Sequence, residues 1–222
     1  MNYKFFILSI VVFLHFYGCG NEITTNPTPV DSTTVTIGSQ VWMKKNLDVA
    51  YYSNGDKIPQ ITDSAQWLNL KTGAWCYYGN DLANGAVYGR LYNWYAVNDP
   101  RGLAPTGWHV ASDSEWTTLT VFLGGENVAG GKLIEEGTIH WQSPNSEGTN
   151  KSGFTALPGG FLDGYGGFFA WIGRNGRFWS ATESYENMAI FRSLHFSSSA
   201  IYKYSDFKKS GFSVRCVKDG IK

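Results

Sequence analysis

Few residues in this chain have the type and spacing that chemistry requires. Zinc-assisted hydrolysis needs clustered ligands, because one imidazole or carboxylate does not hold the metal against water. Of the four histidines, His15 lies in an N-terminal apolar run, and His109, His140 and His195 each lack a second histidine at a ligand spacing. They are expected to be structural. No Gly-x-Ser-x-Gly elbow offers a serine nucleophile. Gly159-Gly160 and Gly164-Tyr165-Gly166-Gly167 lack the lysine and the strand-then-helix setting of a phosphate loop, and close backbone approach explains them better. Calcium takes oxygen ligands, and Asp81 and Asp163 stand beside Asn and Gly that could contribute. Neither stretch has the alternating acidic pattern of a dedicated site, so turn formation is favoured, with calcium possible and no other cofactor expected.

The cysteines divide by position. A largely apolar run, Phe5 to Phe16, follows Lys4 and ends in Tyr17-Gly18-Cys19-Gly20. A run this short, closed by a small residue, reads as a signal peptide over residues 1–18 rather than a membrane span. Cys19 after Gly18 looks like a bacterial lipoprotein box, whose cysteine carries the lipid and becomes the mature N-terminus. The expected address is the bacterial outer membrane or cell surface. Cys76 and Cys216 then remain in an oxidising compartment. A disulfide between them is expected, with two buried free thiols as the alternative.

Charge excludes other partners. Lys plus Arg and Asp plus Glu each number 18, without a run of one sign, so nucleic acid is not an expected partner. Residues 19–34 are rich in Thr and Pro and poor in large apolar side chains, the composition of a lipid-anchored flexible tether. The remainder, 35–222, is long enough for one domain with a substantial core.

The elements that would position any site are short. Val35 to Met43 reads as a hairpin turning at Gly38-Ser39. Asp63 with Gln66, and Ser112 with Glu115, have capping-box spacing at helix starts. Trp116, Leu119 and Leu123 follow the second at helical period, and Gly124-Gly125 ends that helix. Arg90 to Val97 and Val128 to Glu136 are further helical candidates. Later the period changes to two. Phe168 to Ile172 and Arg177 to Thr182 flank Asn175-Gly176, an expected hairpin turn, and Ala189 to Phe196, Ala200 to Tyr204 and Gly211 to Val217 read as three more strands of an antiparallel meander. Early helices and late strands indicate an α+β domain, with short helices packed on antiparallel strands and long loops.

Six segments occur in one order: Trp75-Cys76-Tyr77-Tyr78, Gly89 to Ala96, Pro105-Thr106-Gly107-Trp108-His109-Val110, Leu157-Pro158-Gly159-Gly160, Phe178-Trp179-Ser180-Ala181-Thr182-Glu183 and Gly211 to Asp219. Together they resemble the Fibrobacter succinogenes major paralogous domain. The resemblance implies a C-type-lectin-like fold, a bacterial surface or secreted location, and no assigned reaction. The closing segment is similar to the terminal strand of the formylglycine-generating enzyme superfamily, which holds copper with paired cysteines late in the chain. Only Cys216 stands there, so a copper or redox enzyme ranks third among the functional readings.

Aromatic side chains offer the remaining signal. Trp75, Tyr77, Tyr78, Tyr92, Trp94 and Tyr95 lie inside the fold-building segments and are expected in the core. The C-terminal strands carry a more adaptable set, and Trp179, Glu183, Tyr185, Asn187, Arg192, His195, Tyr202 and Tyr204 are the candidate ligand-binding residues. Trp, Tyr and Arg provide large contact area at low entropic cost. The expected function is non-catalytic binding of an extracellular ligand, glycan or polysaccharide slightly ahead of a surface protein. A structural or adhesive component without a small ligand is the alternative.

Overall fold

The computed structural model describes residues 33–220, so the signal segment, Cys19 and the start of the tether lie outside the described residues. In chain order the elements are β1 (Thr34–Ile37), β2 (Gln40–Met43), α1 (Ser64–Leu68), β3 (Trp75–Cys76), α2 (Leu82–Tyr88), β4 (Leu91–Tyr92), α3 (Trp94–Val97), β5 (Trp108–Val110), α4 (Asp113–Phe122) and α5 (Glu126–Leu133). Six strands follow: β6 (Gly159–Leu162), β7 (Phe169–Ile172), β8 (Asn175–Tyr185), β9 (Met188–His195), β10 (Ile201–Phe207) and β11 (Cys216–Lys218). They form sheets of order β1-β2-β11-β5 and β10-β9-β8-β6-β7, with β3-β4 as a small pair. The fold is mixed α+β, with short helices on mainly antiparallel sheets.

Local chemistry explains the elements that were anticipated. Gly38 adopts φ +61° at the turn between β1 and β2, a conformation that costs glycine little. At α4 the full capping box is present: Ser112 Oγ accepts from Glu115 N, and the Glu115 carboxylate accepts from Ser112 N. That helix buries Trp116, Leu119 and Thr120. It ends where Gly124 and Gly125 take φ +103° and +97°. At α1 only the Asp63 half of the box forms, its Oδ1 accepting from Gln66 N at 2.7 Å.

Around Trp179 and Arg192 both faces of the β8–β9 ribbon are covered. On one, Phe178 and Leu194 join Trp42, Trp116, Leu133 and Phe154 beneath α4 and α5. On the other, Trp179 and Phe191 join Tyr92, Trp94 and Phe212. Each fully buried large apolar side chain stabilises the fold by roughly 1.5–3 kcal/mol. Arg215 stands among these rings with no carboxylate partner among the described residues. Its guanidinium donates to Asn46 Oδ1 (2.7 Å) and to the carbonyls of Met43, Phe154 and Thr155 (2.8 Å each), 4.4 Å from the centre of the Phe154 ring. Burial pushes its pKa down to about 9, which leaves it a cation at neutral pH.

Four expected elements differ. Residues 90–97 are not one helix, because Leu91-Tyr92 pairs with Trp75-Cys76 and Asn93 then caps α3, its Oδ1 accepting from Ala96 N and Ala74 N. The helix placed at 128–136 runs from Glu126 to Leu133, where Ile134 turns extended and bridges to Ala156. Asn175-Gly176 is not a hairpin turn. Asn175 is buried and opens β8, while β7 pairs with β6 rather than β8. The last segment does not extend the meander: β11 enters the other sheet, where Val217 stands between Trp42 and His109.

Candidate functional site

The eight nominated binding residues fall into three places. Trp179 and Arg192 are interior. Trp179 Nε1 donates to the Tyr92 carbonyl at 2.9 Å, and its ring lies 4.2 Å from that of Phe212. Arg192 holds β9 to α4 through Asp113 Oδ1 (2.5 Å) and Thr117 Oγ1 (2.9 Å). Neither is available to a ligand, because alternation along a strand sends no side chain to solvent when both faces are packed. Glu183, Tyr185 and Asn187 lie at the β8–β9 hairpin, where Glu183 pairs with Lys208 and the Asn187 carbonyl accepts from Lys208 N. His195, Tyr202 and Tyr204 lie toward the other end, level with His195, Ser193 and Phe191 and so about 10 to 23 Å from Met188 along β9, and the structure brings these three together.

They border an open trough of about 470 Å³ on one face of β8, β9 and β10. Register builds it. Arg177 pairs with Ser193 and Asn175 with His195 across β8–β9, while Ser193 also pairs with Tyr202 across β9–β10, so one alternation presents all of these side chains on a common face. Asn175 and Ser193 are buried and form the floor, with Asn175 Nδ2 donating to Ser193 Oγ at 3.0 Å and to the Leu194 carbonyl at 2.9 Å. The Arg177 guanidinium lies 3.6 Å over Phe161, donates through Nε to Asn175 Oδ1 at 3.2 Å, and pairs with Asp206 at 3.4 Å. Burial lowers the Arg177 pKa, an effect that Asp206 opposes.

The rim is aromatic and hydroxylic. Tyr202 and Tyr204 stand with ring centres 5.9 Å apart and planes 12° from parallel, 39% and 53% exposed. Trp171, from β7, closes the other side at 50% exposure, its ring 6.0 Å from that of His195. Its backbone sits at φ +65°, a region that a bulky residue rarely occupies and that costs of order 1–3 kcal/mol. Burial and then the nearby Arg174 lower the His195 pKa, so the imidazole is neutral at physiological pH. Ser197 Oγ lies 2.9 Å from His195 Nδ1, and Ser197 N donates to the same atom at 3.4 Å. Ser198 Oγ and the Tyr202 hydroxyl are 3.1 Å apart. Such a set can stack a ring face and exchange hydrogen bonds with hydroxyl groups.

Sequence reasoning missed Trp171, Asn175, Arg177 and Ser193. The alternation shared by Arg177, Ser193 and Tyr202 was readable once those strands were set in register. No sequence signal marks the Trp171 backbone.

The remaining candidates have other occupations. The Asp81 side chain accepts from Ala83 N at 2.9 Å as the cap of α2, and Asp163 Oδ1 accepts from Tyr165 N at 2.9 Å and Gly166 N at 2.5 Å. Among the described residues, no three His, Cys, Asp or Glu side chains group as metal ligands. Cys76 and Cys216 are free thiols, which corrects the expected bridge. Strand alternation separates them: Trp75 faces the cluster that holds Cys216, and its neighbour Cys76 faces a different cluster with Trp67 and Leu162. Burial pushes the Cys216 thiol up to about 12, with Arg215 opposing, and raises Cys76 further, so neither is a ready nucleophile.

The histidines outside the trough act as ties. His109 Nδ1 meets Asp219 at 2.7 Å and Nε2 meets Glu115 at 2.6 Å, while His140 Nδ1 meets Glu135 at 2.8 Å.

Comparison with protein families decides the relationship. The Fibrobacter succinogenes major domain model matches residues 35–218. The chain belongs to that family. No curated protein and no solved structure matches it at significance. Within this Fibrobacter succinogenes major domain, no helix among the described residues is long and apolar enough to cross a membrane.

Proposed function

We propose that this Fibrobacter succinogenes major domain, a variant of the C-type-lectin-like fold, is the non-catalytic ligand-binding module of a lipid-anchored protein at the bacterial outer membrane or cell surface. Its ligand is an extracellular glycan held in the trough between Trp171 and the Tyr202–Tyr204 pair. The observation that carries this reading is the exposure of three large aromatic rings around a floor of amides and hydroxyls. One of those rings is kept in place by a strained backbone. Exposed aromatic surface and left-handed strain both destabilise a fold, and strain of this kind clusters at functional sites. The apolar run ending at Gly18-Cys19 supports the anchor.

A glycan array probed with the purified full-length chain in detergent tests the reading. Binding to at least one glycan class, lost in Trp171→Ala and Tyr204→Ala with the melting temperature within a few degrees of wild type, is the expected result. An array without signal removes the glycan. A protein ligand, which makes the domain an adhesive component, is then the reading to pursue, and the exposed Val121 and Phe122 on α4 favour it as an alternative.

A further inference from the structure

The trough does not end at the tyrosines. On their other side a second depression of about 450 Å³ runs along the outer edge of β10, bounded by Ala200 to Ser205 and by Glu126 and Asn127 of α5. Tyr202 and Tyr204 line both. Among the described residues no strand pairs with that edge of β10. The first turn of α5 reaches it because glycine permits close approach: a Cβ on Gly130 would fall 2.2 Å from the Ala200 carbonyl oxygen.

Each cation lining the two depressions already has a counter-charge. Arg177 pairs with Asp206, and the Lys203 ammonium sits 2.6 Å from Asp113. The Glu126 carboxylate stands 3.7 Å from Arg192. With His195 neutral as well, the described residues lining the two depressions offer a charged ligand no unpaired partner, and Arg174, behind His195, donates to Gln142 outside the lining, while stacking faces and hydroxyl partners continue from one depression to the other.

We infer that the two depressions form one surface, divided by the Tyr202–Tyr204 ridge, that binds an internal stretch of an uncharged polysaccharide rather than a single sugar or a chain end. This deepens the glycan reading and rests on it. Each depression falls within the size range of a small-molecule site, and the trough alone spans two strand spacings, about 10 Å. A ligand that occupies both gains from linkage, because the second contact becomes intramolecular.

Neutral cello-, manno- and xylo-oligosaccharides of one, three and six units, with polygalacturonate as the anionic comparison, test the inference on the full-length chain in detergent by calorimetric titration. In at least one neutral series, affinity is expected to rise about tenfold or more from one unit to six, equivalent to about 1.4 kcal/mol. Asn127→Ala, at an exposed position on the far side of the ridge, should reduce hexasaccharide affinity and leave the monosaccharide unchanged. Tyr204→Ala should remove the length dependence, and Tyr204→Phe, which keeps the ring, should retain it. Equal affinity at one and six units would confine the site to the trough and overturn the inference while the glycan reading stands. Tighter binding of polygalacturonate than of every neutral series would overturn the charge argument. If no saccharide of any length binds, both the glycan reading and the inference fall.

Discussion

The corner around Arg215 and the trough around Arg177 use the same materials in opposite ways. Each sets a guanidinium against phenyl rings, at 4.4 Å from Phe154 in one case and 3.6 Å from Phe161 in the other. At Arg215 the donors end on backbone carbonyls and an amide, and the surrounding Trp42, Phe154 and Phe178 are fully buried. At Arg177 one neighbour is a carboxylate, and the flanking Trp171, Tyr202 and Tyr204 are left open. Abundant aromatics therefore do not mark a site by themselves. What marks one is the gathering of uncovered rings around a single depression, since the other exposed aromatics, Tyr51, Phe122, Tyr165, Phe168, Tyr185 and Phe207, line neither the trough nor its neighbour.

Substitution at Arg215 should show the largest effect. Arg215→Met leaves three carbonyls and one amide oxygen without a donor in the interior, at about 1–3 kcal/mol each, partly offset because a buried cation is removed. A net loss of about 3 kcal/mol or more in denaturant unfolding is expected. A loss below about 1 kcal/mol would mean that water replaces the guanidinium and that this corner is not a rigid hub.

Trp171→Gly sharpens the other half of the contrast. The substitution removes the left-handed strain together with a ring that is only half buried, so stability should stay within about 1 kcal/mol of wild type. Ligand capture should be lost. If instead the variant unfolds more than 2 kcal/mol sooner on this order of scale, Trp171 belongs with the core rings and the contrast between the two regions fails.

The smallest expected effect is a pH dependence at His109. Burial of the ring opposes its charge, but Asp219 and Glu115 outweigh burial and hold the imidazole pKa above its ordinary value. The stabilisation is then fully present below about pH 6.5 and is lost as pH rises through the raised folded value. Because the ring is partly exposed, screening limits the contribution to a fraction of a kcal/mol, on the order of a surface pair. His109→Gln should flatten the stability profile between pH 6 and 8 on this scale. An unchanged slope would assign that pH dependence to another group.

What was legible in the sequence was local. The β1–β2 hairpin and the capping box of α4 follow from residues three or four apart, whose hydrogen bonds form whatever the rest of the chain does. Nomination of Tyr202, Tyr204 and His195 rested on residue type and chain position, and these meet at one trough. Long-range register was not legible. Asn175-Gly176 carries a turn signal, yet the Asn175 carboxamide finds Ser193 and Leu194, a pairing that nothing near it in sequence announces. Trp179 and Arg192 misled because period-two alternation identifies two faces without saying that both are covered. The free cysteines misled for a related reason, since one step along β3 decides which cluster a side chain enters.

The position of β11 has a kinetic consequence. Val217 stands between Trp42 and His109 in the middle of the first sheet. Closing those pairings requires the chain to bring together residues separated by most of its length, the kind of contact that slows folding. Synthesis runs from the N-terminus, so β11 emerges after every other strand of that sheet. Until it does, β2 and β5 have no bridge between them, and that sheet stays open in its middle.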